Sequence, residues 1–160
     1  MDFVTGLVVL LFVLLLYLLL WNSIAVRWGL VSKQTAIEAS AIFASESLLT
    51  TPGEPESWEM LPHIDGNVSA IGLVNGRNEL NRMKLDKLVA ENATNYYAIK
   101  SRLGLQRYDV GMRISDIAGN TIYYEFGKFG ADSMNNSLNF DRLGMLDGRP
   151  VIVHIEVWNG

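Results

Sequence analysis

The sequence contains no cysteine, only two histidines and only four prolines among its 160 residues. Without cysteine, the chain can form neither a disulfide framework nor a Cys-ligated metal site. The 13 basic residues and the formal net charge of −4 exclude a polybasic nucleic-acid binder. A hydrophobic fraction of 49% excludes a disordered chain. The length fits one folded domain with an appendage.

Charged residues are also missing from the whole stretch 3–26. A helix of this length reaches about 36 Å, which is enough to cross a hydrocarbon core of about 30 Å. Because residues 8–21 are apolar on every face, they need lipid or other helices on all sides. A secretory signal peptide fits less well, because its apolar stretch is shorter and follows a basic segment. We therefore predict a membrane-inserting helix.

Two signals disagree about the side of the membrane on which the rest of the chain lies. Arg27 and Lys33 both follow the apolar run, so the positive-inside rule would keep the carboxyl-terminal part in the cytoplasm. Three N-x-Ser/Thr sequons favour an exported surface, with Asn67, Asn92 and Asn135 as the candidate N-glycosylation sites. The conflict disappears if a short basic leader once preceded Met1 and was cut away. We therefore expect Met1 to be the mature amino terminus.

The helical pattern continues beyond the membrane length. Ile37, Ala41, Ala44 and Leu48 recur at i, i+4, i+7 and i+11 and so form one helical stripe. The helix is expected to end at Thr50-Thr-Pro-Gly. A helix over residues 2–49 would be roughly 72 Å long, more than twice the hydrocarbon thickness. An anchor does not need this length, whereas a filament subunit needs a rod that packs against copies of itself. The residues expected to line this membrane or filament-core helix are Phe3, Val8, Leu11, Phe12, Leu15, Leu18, Leu19, Ile24, Leu30, Ile37, Ala41, Ala44 and Leu48.

After the proline turn the chain is predicted to form a small α+β domain. Alternating apolar residues and turn signals predict an antiparallel sheet of about four strands, at 68–74, 108–114, 121–126 and 150–158. A helical pair is expected over 79–103. Residues 127–141 are expected to form a polar loop. The predicted organisation is a hydrophobic membrane or filament-core helix at 1–49, a Pro/Gly connector at 50–66 and an outer globular domain at 67–160.

Acidic and basic residues are separated along the chain. Residues 34–76 contain six acidic side chains and no basic one, whereas residues 77–113 contain eight basic and four acidic ones. One interpretation is that both blocks are solvated faces of a folded domain. The other is a contact between subunits, in which the acidic stretch of one copy faces the basic helical pair of another.

A passage after the apolar helix resembles a known family. Residues 48–59 read Leu-Leu-Thr-Thr-Pro-Gly-Glu-Pro-Glu-Ser-Trp-Glu, and Ile71-Gly-Leu73 follows. This order is similar to that of archaeal type IV pilin-like proteins, which are made with short class III signal peptides. The similarity extends over residues 100–109, where a short helix leads into a Tyr-Asp strand. Bacterial type IV pilins carry glutamate at the fifth mature residue, whereas Thr5 here fits the archaeal relatives better.

The resemblance implies an exported subunit whose helices bundle in the core of a filament while the globular domains coat the outside. It also implies a prepilin peptidase that removes the leader and a pilus assembly machinery that extracts the subunit from the membrane. The expected partner is the chain itself, as a homopolymer, and no nucleic acid. The expected location is an extracellular filament at the cell surface, with a membrane-inserted state before assembly.

Motifs for catalysis or metal binding are weak in this sequence. Tyr96 and Lys100 have the Tyr-x-x-x-Lys spacing of short-chain dehydrogenases, but no glycine-rich turn for a nucleotide accompanies them. His63 and His154 are far apart, with no metal-ligand spacing between them. We therefore predict a protein that is not an enzyme and needs no cofactor or metal.

Two functions fit these features of the sequence. The first is a structural subunit of a type IV pilus-like filament that polymerises through its amino-terminal helix and serves surface attachment. The alternative is a single-pass membrane-anchored surface protein, or a minor pilin, whose outer domain binds a ligand or a partner.

Overall fold

The computed structural model of this chain describes residues 2–64, 66–76, 79–129 and 137–159, without the side chains of residues 2, 26 and 29–34. The helices are α1 (Asp2–Thr50) and α2 (Arg82–Arg102), and a short 3-10 turn covers Trp58–Met60. The strands are β1 (Gly53–Glu54), β2 (Ala70–Ile71), β3 (Val74–Gly76), β4 (Glu79–Leu80), β5 (Tyr108–Asp116), β6 (Ile122–Gly127), β7 (Leu138–Leu146) and β8 (Arg149–Asn159).

The strands form two sheets. β1 and β2 make a short antiparallel pair, and the other strands form a six-stranded sheet in the order β3-β4-β7-β8-β5-β6. Neighbouring strands of the larger sheet are antiparallel except β4 and β7, which are parallel. A long apolar helix followed by a mixed helix-and-sheet domain confirms the predicted α+β class. The sheet has more strands than the four expected.

The chain divides into two compact units, residues 1–36 and 37–160. α1 ends at Thr50, next to the Thr-Pro-Gly sequence that was expected to stop it. The last turns of α1 nevertheless belong to the second unit, which we call the globular unit. The expected connector at 50–66 also belongs to this unit, since it contains β1 and the buried side chain of Trp58.

The helical pair expected over 79–103 is one element with a kink. α2 departs from helical backbone angles at Asn95, where φ is −121° and ψ is 20°. Its start needs a correction, because Glu79 and Leu80 form β4 rather than the first turn. Asn81 caps the helix instead, since its Oδ1 accepts a hydrogen bond of 2.8 Å from the Met83 amide.

A polar loop was expected over 127–141, but β7 begins at Leu138. Leu138 and Phe140 alternate as a half-buried strand would, but the adjacent charges of Asp141 and Arg142 interrupt the pattern before it resumes at Gly144 and Leu146. The strand forms because its backbone pairs with β8 along its whole length, from Leu138 to Leu146. Pairing between strands, rather than local alternation, therefore decides this segment.

One face of the larger sheet carries the core of the globular unit. The buried side chains of β8 alternate as predicted, at Val151, Val153, Ile155 and Val157. Those of β5 do the same, and α2 adds Leu85, Leu88 and Ile99 to the same core. Alternation places every second residue of a strand on the covered face. The core is therefore built by central strands that the sequence pattern identified.

Candidate functional site

The first part of α1 is apolar and uncovered. Phe3–Ala25 has a mean hydropathy of 3.0 and the length to cross a membrane, and none of it is buried within the chain. The residues expected to line this helix from Phe3 to Ile24 each expose half or more of their surface. Leu30 lies outside the described side chains. Because water disfavours so large an apolar surface, this segment needs lipid or protein around it.

The later part of the predicted stripe has a different environment. Ile37, Ala41, Ala44 and Leu48 do lie on one side of the helix, but all four are buried in the core of the globular unit. The chain's own core therefore covers them, and they do not form a surface for a second copy. This corrects their expected place in a core built between subunits.

The opposite side of the same turns is exposed, and we call it the outer stripe (residues 39, 42, 43, 46 and 50). Ile42 is 41% exposed and Phe43 is 62% exposed, although both are large and apolar. Ala39, Glu46 and Thr50 complete the stripe and are also exposed. Since these residues lie well beyond Phe3–Ala25, a bilayer around that segment would not be expected to cover them.

The end of α1 is joined to the sheet by main-chain contacts. The amide of Leu73 donates a 2.8 Å hydrogen bond to the carbonyl of Leu48. The Thr51 hydroxyl donates to the carbonyl of Ser47 at 2.7 Å, and the Thr51 amide donates to the same carbonyl at 3.2 Å. Gly72 passes so close that a Cβ there would lie 1.9 Å from the Thr51 carbonyl oxygen. Only glycine fits this crossing.

Trp58 completes this junction. Its indole Nε1 donates a 3.0 Å hydrogen bond to the Gly72 carbonyl, and the side chain is fully buried. Gly53 has a φ of +91°, and a Cβ there would lie 2.6 Å from the indole ring. The Thr-Pro-Gly and Trp residues that carry the family resemblance therefore have a structural task, which is to fix the end of α1 to the domain.

A buried lysine supports the same junction. Lys84 Nζ donates to the Pro52 carbonyl at 2.7 Å and to the Val74 carbonyl at 3.3 Å. Burial lowers the pKa of this ammonium group. Its hydrogen bonds offset the cost of burying a charged group. No feature of the sequence pattern marked Lys84, because a lysine in an amphipathic helix normally faces water.

A second set of charges, which we call the Asp109 cluster, joins α2 to β5. Lys100 Nζ lies 2.8 Å from Asp109 Oδ1, and the Tyr96 hydroxyl donates to the same oxygen at 3.0 Å. Lys128 Nζ lies 3.4 Å from Asp109 Oδ2. The Val110 amide donates to the Tyr96 oxygen at 3.0 Å. Strand alternation predicts a solvent-facing Asp109, but α2 covers it.

The Asp109 cluster also bears on the Tyr-x-x-x-Lys spacing. Burial raises the pKa of the Tyr96 hydroxyl, while short-chain dehydrogenases need a lysine that lowers it. Lys100 pairs with Asp109 and lies 5.6 Å from the centre of the Tyr96 ring. The geometry fits a contact that holds α2 against β5, and it lacks the electrostatics of that catalytic pair.

Glu91 is a third paired acid on α2. Its carboxylate lies 2.9 Å from Lys87 Nζ and 3.7 Å from His63 Nδ1, and it accepts a hydrogen bond from Asn95. Burial by itself would raise the pKa of Glu91, but the contacts with Lys87, Asn95 and His63 lower it. The same residues tie the kink of α2 to the preceding loop.

Acid is expected to destabilise the globular unit. Burial alone would raise the pKa of the Asp109 carboxyl, but hydrogen bonds from Lys100 and Tyr96, and the charges of Lys100 and Lys128, lower it. A carboxyl whose pKa is lower in the folded chain stabilises the fold above its unfolded pKa. That contribution is lost as the pH falls through the folded pKa. The unfolding free energy should therefore change little between about pH 7 and 5 and fall below about pH 4.

Urea unfolding of the detergent-solubilised chain, followed by circular dichroism at several pH values, measures this dependence. The Asp109→Asn variant serves as the control, since it has no carboxyl to titrate at this position and should show a shallower loss below pH 4. Greater stability at pH 3 than at pH 6 would contradict the expected direction.

The three sequons differ in their surroundings. Asn67 is exposed in a turn before β2. Asn92 lies within α2, partly buried, and its side-chain oxygen accepts a 3.1 Å hydrogen bond from the Gly127 amide. Asn135 lies outside the described residues. The hydrogen bond of Asn92 therefore links α2 to β6.

The two histidines each lie beside a single carboxylate. His154 Nδ1 is 2.6 Å from Asp141 Oδ1, on the face of the sheet opposite the core. Within residues 2–64, 66–76, 79–129 and 137–159, no group of three or more His, Cys, Asp or Glu side chains could hold a metal ion.

These observations define the class of the protein as an α+β domain with a long amino-terminal helix whose segment Phe3–Ala25 is apolar and uncovered. No protein-family model, no curated protein and no solved structure matches the chain. A function for this chain is therefore inferred from its fold and from the side-chain contacts described above.

Proposed function

We propose that this chain is the structural subunit of an extracellular filament of the type IV pilus kind. Phe3–Ala25 holds the subunit in the membrane before assembly, and α1 then bundles with the same helix of other copies. Burial of apolar surface contributes about 0.8 kcal/mol per CH₂ group, so exposure of this segment to water is strongly unfavourable. Transfer from lipid into a helix bundle keeps it covered throughout. The observation that carries the proposal is the uncovered apolar segment at the start of one continuous helix.

The outer stripe supports a filament rather than an anchor alone. An anchor needs cover only along Phe3–Ala25, whereas bundled subunits also bury surface farther along α1. Ile42 and Phe43 provide such a surface, and small Ala39 beside them permits close approach of another helix.

The proposal has consequences for location and partners. The subunit would be inserted in the membrane first and would reach the cell surface as a homopolymer. A prepilin peptidase and a pilus assembly machinery would process and extract it, as the family resemblance implies. The outer domains would then serve attachment, with glycans at accessible sequons such as Asn67.

The variant Ile42→Glu tests the proposal. A carboxylate in place of the apolar Ile42 side chain should abolish filaments, because a bundled helix would have to bury it without a partner. Membrane insertion should persist, since Phe3–Ala25 is unchanged, and the partly exposed Ile42 site should allow the globular unit to fold. Electron microscopy of sheared surface material and membrane fractionation measure the two effects.

Met83→Glu is the matched control, because Met83 is an apolar residue of α2 with 53% of its surface exposed. It should form filaments as the unchanged chain does. Normal filaments from Ile42→Glu would refute the helix-bundling proposal, since the outer stripe would then play no part in assembly.

A specific surface favours the alternative, a membrane-anchored protein or minor pilin with a partner-binding outer domain. Strand register aligns Leu143, Ile152, Ser115 and Ile122 across β7, β8, β5 and β6 on the face opposite the core. Leu143 and Ile122 are both exposed on this face, and such apolar patches commonly mark interaction sites. Membranes that hold the chain while sheared surface material lacks it would favour this alternative.

A further inference from the structure

A groove of about 530 Å³ lies beside the outer stripe at the end of α1. Its walls include the ring of Phe43 and the side chains of Glu46 and Glu54. Both carboxylates are exposed, and neither has an ion-pair partner in the part of the chain that the structure describes. The groove therefore combines an apolar ring with two uncompensated negative charges.

The threonine hydroxyl groups in the groove can accept hydrogen bonds from a ligand, but they have no hydrogen left to donate. Thr50 Oγ1 donates to the Glu46 carbonyl at 2.6 Å, and Thr51 Oγ1 donates to the Ser47 carbonyl at 2.7 Å. Each hydroxyl hydrogen is thus engaged, while the oxygen lone pairs remain. A group that fits such a surface is positive, rich in donors and able to stack on an aromatic ring. An arginine guanidinium has these three properties.

Arg27 is a basic residue whose positive charge is complementary to the acidic groove. It is exposed on α1, two positions after the apolar segment Phe3–Ala25. Its neighbours one turn away along the helix are Ser23, Ile24, Leu30 and Val31, so its own turns contain no acid. Bundling of α1 would bring this charge out of water, and a buried charge without a partner is strongly unfavourable. A carboxylate of another copy can supply this partner.

We propose that Arg27 of one copy enters the groove of a second copy and pairs there with Glu46, with Glu54 and Phe43 as further contacts. This inference rests on the proposed filament function and deepens it. Slips between uniform Leu/Val helices are nearly equal in energy, so hydrophobic contact alone does not set the register of the bundle. A charged pair between positions 27 and 46 favours one register, because any other offset separates these two charges.

Charge exchange in the full chain, expressed in filament-forming cells, tests the pair. Arg27→Glu and Glu46→Arg should each lower the filament yield by about tenfold or more, because each leaves like charges facing one another. The double variant should restore most of the yield, since the pair is rebuilt in reverse. Both residues are exposed in the monomer, so urea unfolding should show unchanged stability in all three variants.

Arg107→Glu is the control, because Arg107 is another exposed arginine, placed in the loop between α2 and β5. It should leave the yield unchanged. Wild-type yield from both single variants, or a double variant as poor as the single ones, would overturn the pairing of Arg27 with Glu46. Cells in which the unchanged chain forms no filament would instead overturn the filament function itself, so the two failures are distinguishable.

Discussion

Substitution of Gly72 by alanine is expected to destabilise the globular unit by about 3 kcal/mol or more, which is a large part of a typical domain's stability. The new Cβ would lie 1.9 Å from the carbonyl oxygen of Thr51 and 2.6 Å from its carbonyl carbon. These are backbone atoms at the end of α1, so no side-chain rotation relieves the clash. The segment between β2 and β3 would have to move, and the hydrogen bonds from Trp58 to the Gly72 carbonyl and from Leu73 to the Leu48 carbonyl would be lost with it.

Gly76→Ala is the matched control, because no atom of the described residues, apart from Gly76 and its chain neighbours, lies within 4 Å of the Cβ position there. It should change the unfolding free energy by no more than about 0.5 kcal/mol. Urea unfolding followed by circular dichroism compares the two variants. If Gly72→Ala were as stable as Gly76→Ala, the close crossing of α1 and the segment before β3 would be contradicted.

Removal of the Asp109 carboxylate is expected to cost about 3–5 kcal/mol, because Lys100 would remain charged and buried without its partner. Lys100 exposes only 8% of its side chain, so it cannot turn to solvent, whereas Lys128 exposes 52% and can. The Tyr96 hydroxyl would also lose an acceptor. Asp109→Ala should therefore unfold at a clearly lower urea concentration than the unchanged chain.

Two further variants separate the buried charge from other effects. Glu125→Ala removes an acid whose pair with Arg113 is exposed, so it should cost no more than about 1 kcal/mol. Lys100→Met in an Asp109→Leu background replaces the buried pair with apolar groups and should recover much of the lost stability. If this double variant were no better than Asp109→Ala, the unpaired Lys100 charge would not be the cause of the loss.

The elements that the sequence predicted well are those whose pattern is local. β5 and β8 alternate cleanly, and the turn at 118–120 connects β5 to β6 as expected. The apolar segment of α1 and the end of this helix at Thr50 were also predicted. A strand that is apolar on one face, or a helix that is apolar on every face, can be identified from consecutive residues.

The elements that the sequence failed to predict depend on distant partners. β7 forms opposite β8 although Asp141 and Arg142 interrupt its alternation. β4 is only two residues long and pairs in parallel with the end of β7. Local propensity carries little information about such strands, because neighbouring strands supply most of their stabilisation.

The candidate site also has a part that the sequence predicted and a part that depends on distant contacts. The sequence by itself determined that a helical stripe runs through Ile37, Ala41, Ala44 and Leu48, and that an apolar segment precedes it. Only the tertiary structure decided what covers the stripe, since a helical period gives the direction of a face and not its neighbour. That neighbour is the chain's own core. Ile42, Phe43 and Glu46 on the other side of these turns are therefore the residues that the core leaves exposed.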